Sequence, residues 1–431
     1  MRGEPVVSED RLTKARKHGR RSWNGYVDLP MLICLSAILI FGLAMIYSTS
    51  SYRAMDLYGD DIYFFKRQTV YMLTAVLLMR GVSGMDHTFF FRYSKLILIS
   101  SLLLQILVLV IGTASHGSSR WIYIGPIGFQ PSEYAKLAIT VYTAAQAAVK
   151  SRDLCRAGCL IKVMVFPVIT IILIGVENLS TAIICFVIMF AILFVASPGI
   201  KHFVVIGICG IVGCVLFILF AGYRADRVRI WLDPEQYADG YQTVQSLYAV
   251  GSGGLFGVGY GKSVQKMGFI PESHNDMIFS VVCEELGMVG AIALIVLFIV
   301  FLYRLALIAM NADDRFGSLV SCGVMTHVAV QLLINMGVVT NTIPPTGVPM
   351  PFISYGGSSM LSTMIMFGII QGLYIIREDE EEEREKEKLR KERKRKNGVG
   401  RTAPRKTAKS GPKFEEVPRQ RPRKKTGTRT K

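Results

Sequence analysis

Charge is missing from long stretches of this chain. The segments 29–52, 96–119, 178–200, 203–223 and 286–303 contain no Asp, Glu, Lys or Arg. The segment 316–376 contains none in 61 residues. A spanning helix needs about 20 apolar residues, so runs of this number and length exclude an ordinary soluble domain. Paired cysteines are missing too. The eight cysteines occur singly, mostly inside apolar runs, with no Cys-x-x-Cys. That excludes a disulfide framework and a cysteine-based zinc site. There is no Walker motif, so ATP should not drive this protein. No cleavable signal pattern precedes the first apolar run, because residues 1–26 are polar and basic.

What is present is hydrophobic helix. Of 431 residues, 51% are hydrophobic, and the mean hydropathy is +0.39. The fold class is an all-α polytopic membrane protein. About ten spans are expected, near 27–49, 67–84, 94–114, 131–149, 158–176, 179–197, 202–222, 276–304, 316–340 and 358–376. The net charge of +17 sits mostly in the tails: residues 1–26 carry +4 and 377–431 carry +11, which leaves +2 for the body. Basic flanks mark the cytoplasmic side and attract anionic headgroups. Nucleic acid is not an expected partner.

Three domains follow. Residues 1–26 form a basic cytoplasmic tail, 27–376 the membrane domain, and 377–431 a charged cytoplasmic tail. That last tail extends the final helix to about Lys396 and is otherwise largely disordered. With both termini inside, the connections 50–66, 115–130, 223–275 and 341–357 lie outside. The long 223–275 loop is expected to hold a short helix around 242–250. Arg120, Arg224, Arg227, Arg229, Lys262 and Lys266 are then outer cations, which points to an anionic ligand.

Asp276, in Pro271-Glu272-Ser273-His274-Asn275-Asp276-Met277, stands where this loop meets an apolar helix. A carboxylate there has two readings. It caps the helix, or burial raises its pKa until it accepts a proton near neutrality. Ser280 and Glu284 follow on a similar helical face.

Three further segments are polar. The first runs through Arg120-Trp121-Ile122, then Gln130-Pro131-Ser132-Glu133 and Lys136. Ser132 is placed to cap a helix, and Glu133 and Lys136, at i and i+3, either neutralise each other or wall a cavity. The second holds Arg224, Arg227, Gly240-Tyr241-Gln242 and a glycine run from Gly251 to Gly261 suited to close approach to a lipid or sugar. The third, from Pro344 to Ser359, has four prolines and three glycines, which suits irregular backbone lining a cavity. No protein-held metal site has recognisable spacing. A divalent cation, Mg or Mn, is compatible with a bridge between phosphate and carboxylate.

At these residues the chain resembles the SEDS family (shape, elongation, division and sporulation), the FtsW/RodA/SpoVE peptidoglycan glycosyltransferases. The resemblance covers about residues 27–376. It rests on Arg-Trp-Ile at 120–122, Gln-Pro-Ser-Glu at 130–133, Gly-Tyr-Gln at 240–242, Pro-Glu-x-His-x-Asp at 271–276, Glu-Glu-Leu-Gly at 284–287 and Pro-Phe-Ile-Ser-Tyr-Gly-Gly-Ser-Ser at 351–359. It implies a ten-helix fold and polymerisation of lipid II on the outer face, with release of undecaprenyl diphosphate. The family's essential aspartate maps onto Asp276 as general base. Arg120, Trp121, Glu133, Lys136, Arg224, Arg227, Gln242, His274, Ser354 and Tyr355 are the expected substrate-binding residues. Asn275 stands where the family often has Thr. Val176-Glu177-Asn178-Leu179-Ser180-Thr181 replaces the Gln-Pro-Asp-Leu-Gly-Thr of many members. The segment 47–55 and the basic tail look more like the FtsW branch, implying septal wall synthesis. The implied partners are a class B penicillin-binding protein and other division proteins. An elongation or sporulation paralogue, a lipid II flippase or transporter, and a non-catalytic division scaffold are the alternatives.

Overall fold

The structure is a computed structural model that describes residues 28–115, 118–124, 127–219, 222–312 and 314–399. The basic tail 1–26 and residues 400–431 lie outside the described residues. Two compact units are present, Met1–Glu380 and Glu381–Lys431. The site belongs to the first.

Helices dominate. They are α1 (Leu29–Tyr58), α2 (Tyr63–Ser83), α3 (His87–Ile111), α4 (Pro131–Lys150), α5 (Ala157–Glu177), α6 (Leu179–Ala196), α7 (Lys201–Leu219), α8 (Gly222–Leu232), α9 (Tyr241–Ser252), α10 (Ile278–Met310), α11 (Arg315–Val339) and α12 (Gly357–Val399). A helix overlaps each of the ten segments expected from the sequence. Among the described residues, α1, α3, α5, α6, α10 and α11 are long and apolar enough to cross a membrane.

Local chemistry sets the helix ends. Asp28 precedes α1, its carboxylate accepts from the Met31 amide at 2.8 Å, and Gly59 ends the helix in the left-handed region. Asn178 breaks α5 from α6 and caps α6, its Oδ1 accepting from Thr181 N at 3.1 Å. Ser132 does not cap α4 as expected: the cap position is Gln130, and Pro131 opens the helix. A proline has no N–H to lose there.

The all-α expectation needs one amendment. Part of 115–130 forms a small antiparallel sheet in the order β1 (Thr113–Ser115), β2 (Ser118–Ile124), β3 (Ile127–Phe129). Ile122, Tyr123 and Ile124 pair with Phe129, Gly128 and Ile127. β-Branched and aromatic residues favour this extended state over helix.

Nearly all of α4 is buried. It packs against α3, α6 and α11, with α10 against α1 and α11. Small residues, Ala135, Ala138, Ala144, Ala145, Ala147 and Ala148, allow that close packing. The outer faces are the reverse of a soluble protein. Ile40, Leu103, Ile172 and Ile292 are each at least 50% exposed. Apolar surface on that scale calls for lipid as the solvent.

Candidate active site

Asp276 does not cap α10. The residue at the cap position is Met277, which offers no side-chain bond. The segment before it is folded on itself, since Asn275 N and Met277 N both donate to Glu272 O. Its neighbours hold it from three sides. Ser273 Oγ donates to Thr49 O on α1 at 3.2 Å. Tyr355 N donates to His274 O at 2.9 Å. Asn335 Nδ2, on α11, donates to Asp276 O at 2.7 Å and to Val348 O at 2.9 Å.

The Asp276 side chain faces a different way. The residue is half-buried, but its Oδ1 is fully enclosed and has no hydrogen-bond partner. Burial raises its pKa to about 7, and the nearby Glu272 carboxylate adds to the rise, while Arg227 opposes it. Oδ2 lies 3.8 Å from where a Cβ on Gly347 would stand. Gly347 has φ +67, so glycine there supplies both the backbone conformation and the space beside the carboxylate.

A cavity of about 780 Å³ opens against this carboxylate. Arg67, Arg120 and Arg227 line it together with Glu133, Glu272 and Asp276. Helix N-termini converge on the same space. Gln130 and Glu133 come from the start of α4, Asn178 from α6, Gln242 and Thr243 from α9, and Gly357, Ser358 and Ser359 from α12. Each N-terminus presents partial positive charge. Asp239 lines the cavity as well, so three guanidinium groups and four carboxylates share it, and an anion would be held locally, at the arginines and helix ends, rather than by the cavity as a whole. Trp121, Tyr123, Tyr71 and Tyr355 supply ring faces, the surfaces on which sugars stack.

The expected site residues divide into wall and support. Asp276, Arg120, Trp121, Glu133, Arg227, Gln242 and Tyr355 line the cavity. Lys136, His274 and Ser354 stand behind it. Lys136 is 1% exposed, pairs with Glu133 at 2.7 Å and donates to Gln331 Oε1 at 3.4 Å. His274 packs against Phe64 and Tyr355, and burial, with Arg53 nearby, drops its pKa to about 4, leaving it neutral. Ser354 Oγ accepts from Met350 N at 2.7 Å and shapes the 350–354 turn. Arg224 falls in α8, and its side chain lies outside the described residues.

Three expectations from the loops change. Lys266 is not an outer cation open to a ligand: it is buried and pairs with Glu285 at 2.7 Å. Glu284 does not extend the Asp276 face. Its carboxylate accepts from Ser263 Oγ and from Val264 N. The glycines do serve close approach, but to the chain's own backbone. A Cβ on Gly253 would stand 2.0 Å from Cys283 O, and one on Gly257 2.1 Å from Glu285 O.

Arg67 was not among the expected residues. The run Lys66-Arg67-Gln68 reads as a flank of the second span. In the fold Arg67 Nη1 and Nη2 donate to Tyr63 and Tyr71 hydroxyls at 3.0 and 3.2 Å, and Arg67 lines the cavity. Its i−4 and i+4 tyrosines were the available signal. Asn178 was legible as a departure from the family pattern but not as a wall residue.

Among the described residues, no group of three or more His, Cys, Asp or Glu is placed to hold a metal ion.

Residues 28–378 match the family model FTSW_RODA_SPOVE, described as cell cycle protein. The chain is 36% identical to stage V sporulation protein E of Bacillus subtilis over 349 residues, covering 80% of this chain and 95% of that one. It is 35% identical to the probable peptidoglycan glycosyltransferase FtsW of Trichlorobacter lovleyi, covering 80% and 92%. Among solved structures, a chain of a peptidoglycan synthase complex that coordinates polymerization and crosslinking superposes with a TM-score of 0.67 at 25% identity, covering 80% of this chain and 96% of that one. The rod shape determining protein RodA of Thermus thermophilus gives 0.61 at 25%, with the same coverage.

Proposed function

The chain belongs to the FtsW/RodA/SpoVE family, and on that premise we propose that this peptidoglycan glycosyltransferase polymerises lipid II at the outer face of the cytoplasmic membrane, with Asp276 as the general base. The observation that carries this reading is the Asp276 carboxylate, which lines a cavity together with Arg67, Arg120 and Arg227 and has one oxygen, Oδ1, enclosed without a hydrogen-bond partner.

The 4-hydroxyl of an acceptor sugar gives its proton to the Asp276 carboxylate. The oxygen attacks the anomeric carbon of a donor. The bond from that carbon to the diphosphate breaks, and undecaprenyl diphosphate leaves. A diphosphate is stable as it departs, so one base is enough, unlike the paired carboxylates of glycosidases. The arginines and converging helix ends oppose the charge that develops on the leaving group. A divalent cation, Mg or Mn, if bound, would be held through the Glu272 carboxylate, which lines the same cavity, and would supply positive charge that neutralises the departing diphosphate, leaving the Asp276 carboxylate as the base.

Both basic tails face the cytoplasm in this reading, and the cavity opens outward. Septal wall synthesis is the role we propose, supported by the similarity to proteins named FtsW, with a sporulation paralogue as the alternative that the similarity to stage V sporulation protein E favours. A class B penicillin-binding protein is the proposed partner, since a similar chain belongs to a complex that joins polymerization to crosslinking. A transporter would use broken helices to line its path. The break in α10 at Gly287 instead packs against the chain's own Gly257 and Leu255.

Purified protein carrying Asp276→Asn should fold and fail to polymerise lipid II. Full polymerisation by that variant would overturn the assignment.

A further inference from the structure

The segment between α9 and the Asp276 loop does not stay at the mouth of the bundle. Its backbone runs down beside the first turns of α10. Val258 N and Gly259 N donate to Glu284 O and Glu285 O at 2.9 and 3.0 Å. Where α10 breaks at Gly287, with φ 66 and ψ −167, Met288 N and Val289 N donate to Gly254 O and Leu255 O at 2.9 and 3.1 Å. The segment also reaches α1. Tyr260 Oη donates to Ala44 O at 2.6 Å, and buried Lys266 donates to Ser48 Oγ at 2.8 Å while pairing with Glu285.

Two helices independently give the depth. Gly287 lies nine residues past the start of α10 at Ile278, about 13 Å along the axis at 1.5 Å per residue. Ala44 lies eight residues before Tyr52, the last residue of the charge-free run of α1, about 12 Å by the same rise. The hydrocarbon core is about 30 Å thick. The segment therefore descends well below the headgroups.

Its chemistry suits that depth. At 254–255 and 258–259 the main chain pairs with α10, Val264 N donates to the Glu284 carboxylate, and Lys262 N and Met267 N donate within the segment, and satisfaction within the protein is the condition for irregular backbone in a membrane. The lysine that descends with it is neutralised by Glu285. The side chains that point away are apolar: Phe256 is 79% exposed, Leu255 57%, Val264 56% and Met267 48%. They continue the apolar outer surface of the adjoining helices, where Ile40, Met288 and Ile292 are also exposed. Lys262, exposed on the same segment, has a stem long enough to carry its ammonium upward.

We propose that residues 254–269 form a re-entrant element whose exposed apolar side chains dock into the acyl-chain region of the bilayer, with Phe256 as the main anchor. The occupant of this surface is bulk lipid. The same stretch of chain continues directly into Pro271–Asp276, so the bilayer helps set the height of the Asp276 carboxylate. This rests on membrane residence and packing and stands whether or not Asp276 is the base.

Full-length protein carrying Phe256→Trp, in phosphatidylcholine–phosphatidylglycerol vesicles, tests it by difference from the unsubstituted protein. The added emission should be blue-shifted, quenched by lipids brominated on the acyl chain and unmoved by aqueous iodide. Met267→Trp, read in the same way, should behave alike. Quenching by iodide would overturn the proposal by placing the segment in water. Protection from both quenchers would overturn it too, because a protein segment or a second copy would then cover the surface.

Discussion

Asn335 places one side-chain amide between two main-chain carbonyls, those of Asp276 and Val348. It ties the loop that carries the carboxylate to the proline-rich loop that faces it. One turn earlier on α11, Gln331 Nε2 donates to Pro349 O at 2.8 Å. Two amides on one helical face therefore tie two irregular segments to α11.

Asn335→Leu removes both bonds and strands two buried carbonyls, at about 1–3 kcal/mol each. A shift of about 1 Å at a reacting group costs on the order of 100-fold in rate. The variant should lose stability in a detergent melt and lose turnover by roughly that factor. The apparent KM for lipid II should change far less, because Asn335 does not line the cavity.

The pKa of Asp276, about 7, sets a pH dependence of two opposite kinds. Polymerisation needs the ionised carboxylate, so the rate should rise with pH through about 7. Stability should move the other way. Between the unfolded carboxyl pKa, about 3.9, and the folded value, the native state holds a proton that the unfolded chain releases, so stability falls as pH rises across that window. Asp276→Asn should therefore abolish activity and raise the melting temperature at pH 8, with little gain at pH 4. A melting temperature lowered equally at both values would contradict this account.

Glu272 and Arg227 should move the acid limb in opposite directions. The Glu272 charge raises the Asp276 pKa and the Arg227 charge lowers it. Glu272→Gln should shift the limb of the pH–rate profile to lower pH, and Arg227→Gln to higher pH. Arg227→Gln should also weaken substrate binding, since that side chain lines the cavity.

The Glu133–Lys136 pair is buried on both sides, with side chains 6% and 2% exposed. Lys136→Met leaves a buried carboxylate uncompensated, which costs about 3–5 kcal/mol. Adding Glu133→Gln should recover much of that loss in a thermal melt. Activity should stay low in the double variant, because Glu133 is also part of the cavity wall.

Much of this molecule was legible in one dimension. The apolar runs located the helices, because a bilayer demands about 20 apolar residues wherever a chain crosses it. Asp276 stood out as a carboxylate at the edge of such a run. Arg67 did not, because a cation at the start of a span is common there. Its meaning depends on Tyr355 and Asp276, which are far from it along the chain.

The sequence by itself determined that this chain is helical and membrane-borne, and it singled out the acidic loop before α10 as the chemical centre proposed above. Those properties follow from local composition and solvent. The tertiary structure decided which polar groups face the cavity and which brace it. Glu133 lines the wall while Lys136, three residues on, is buried beneath it. Glu284 and Lys266 read as ligand-facing charges, yet they fasten a segment to α10 and α1. Such roles depend on contacts between residues as far apart as Ser48 and Glu285. No periodicity within one helix encodes them.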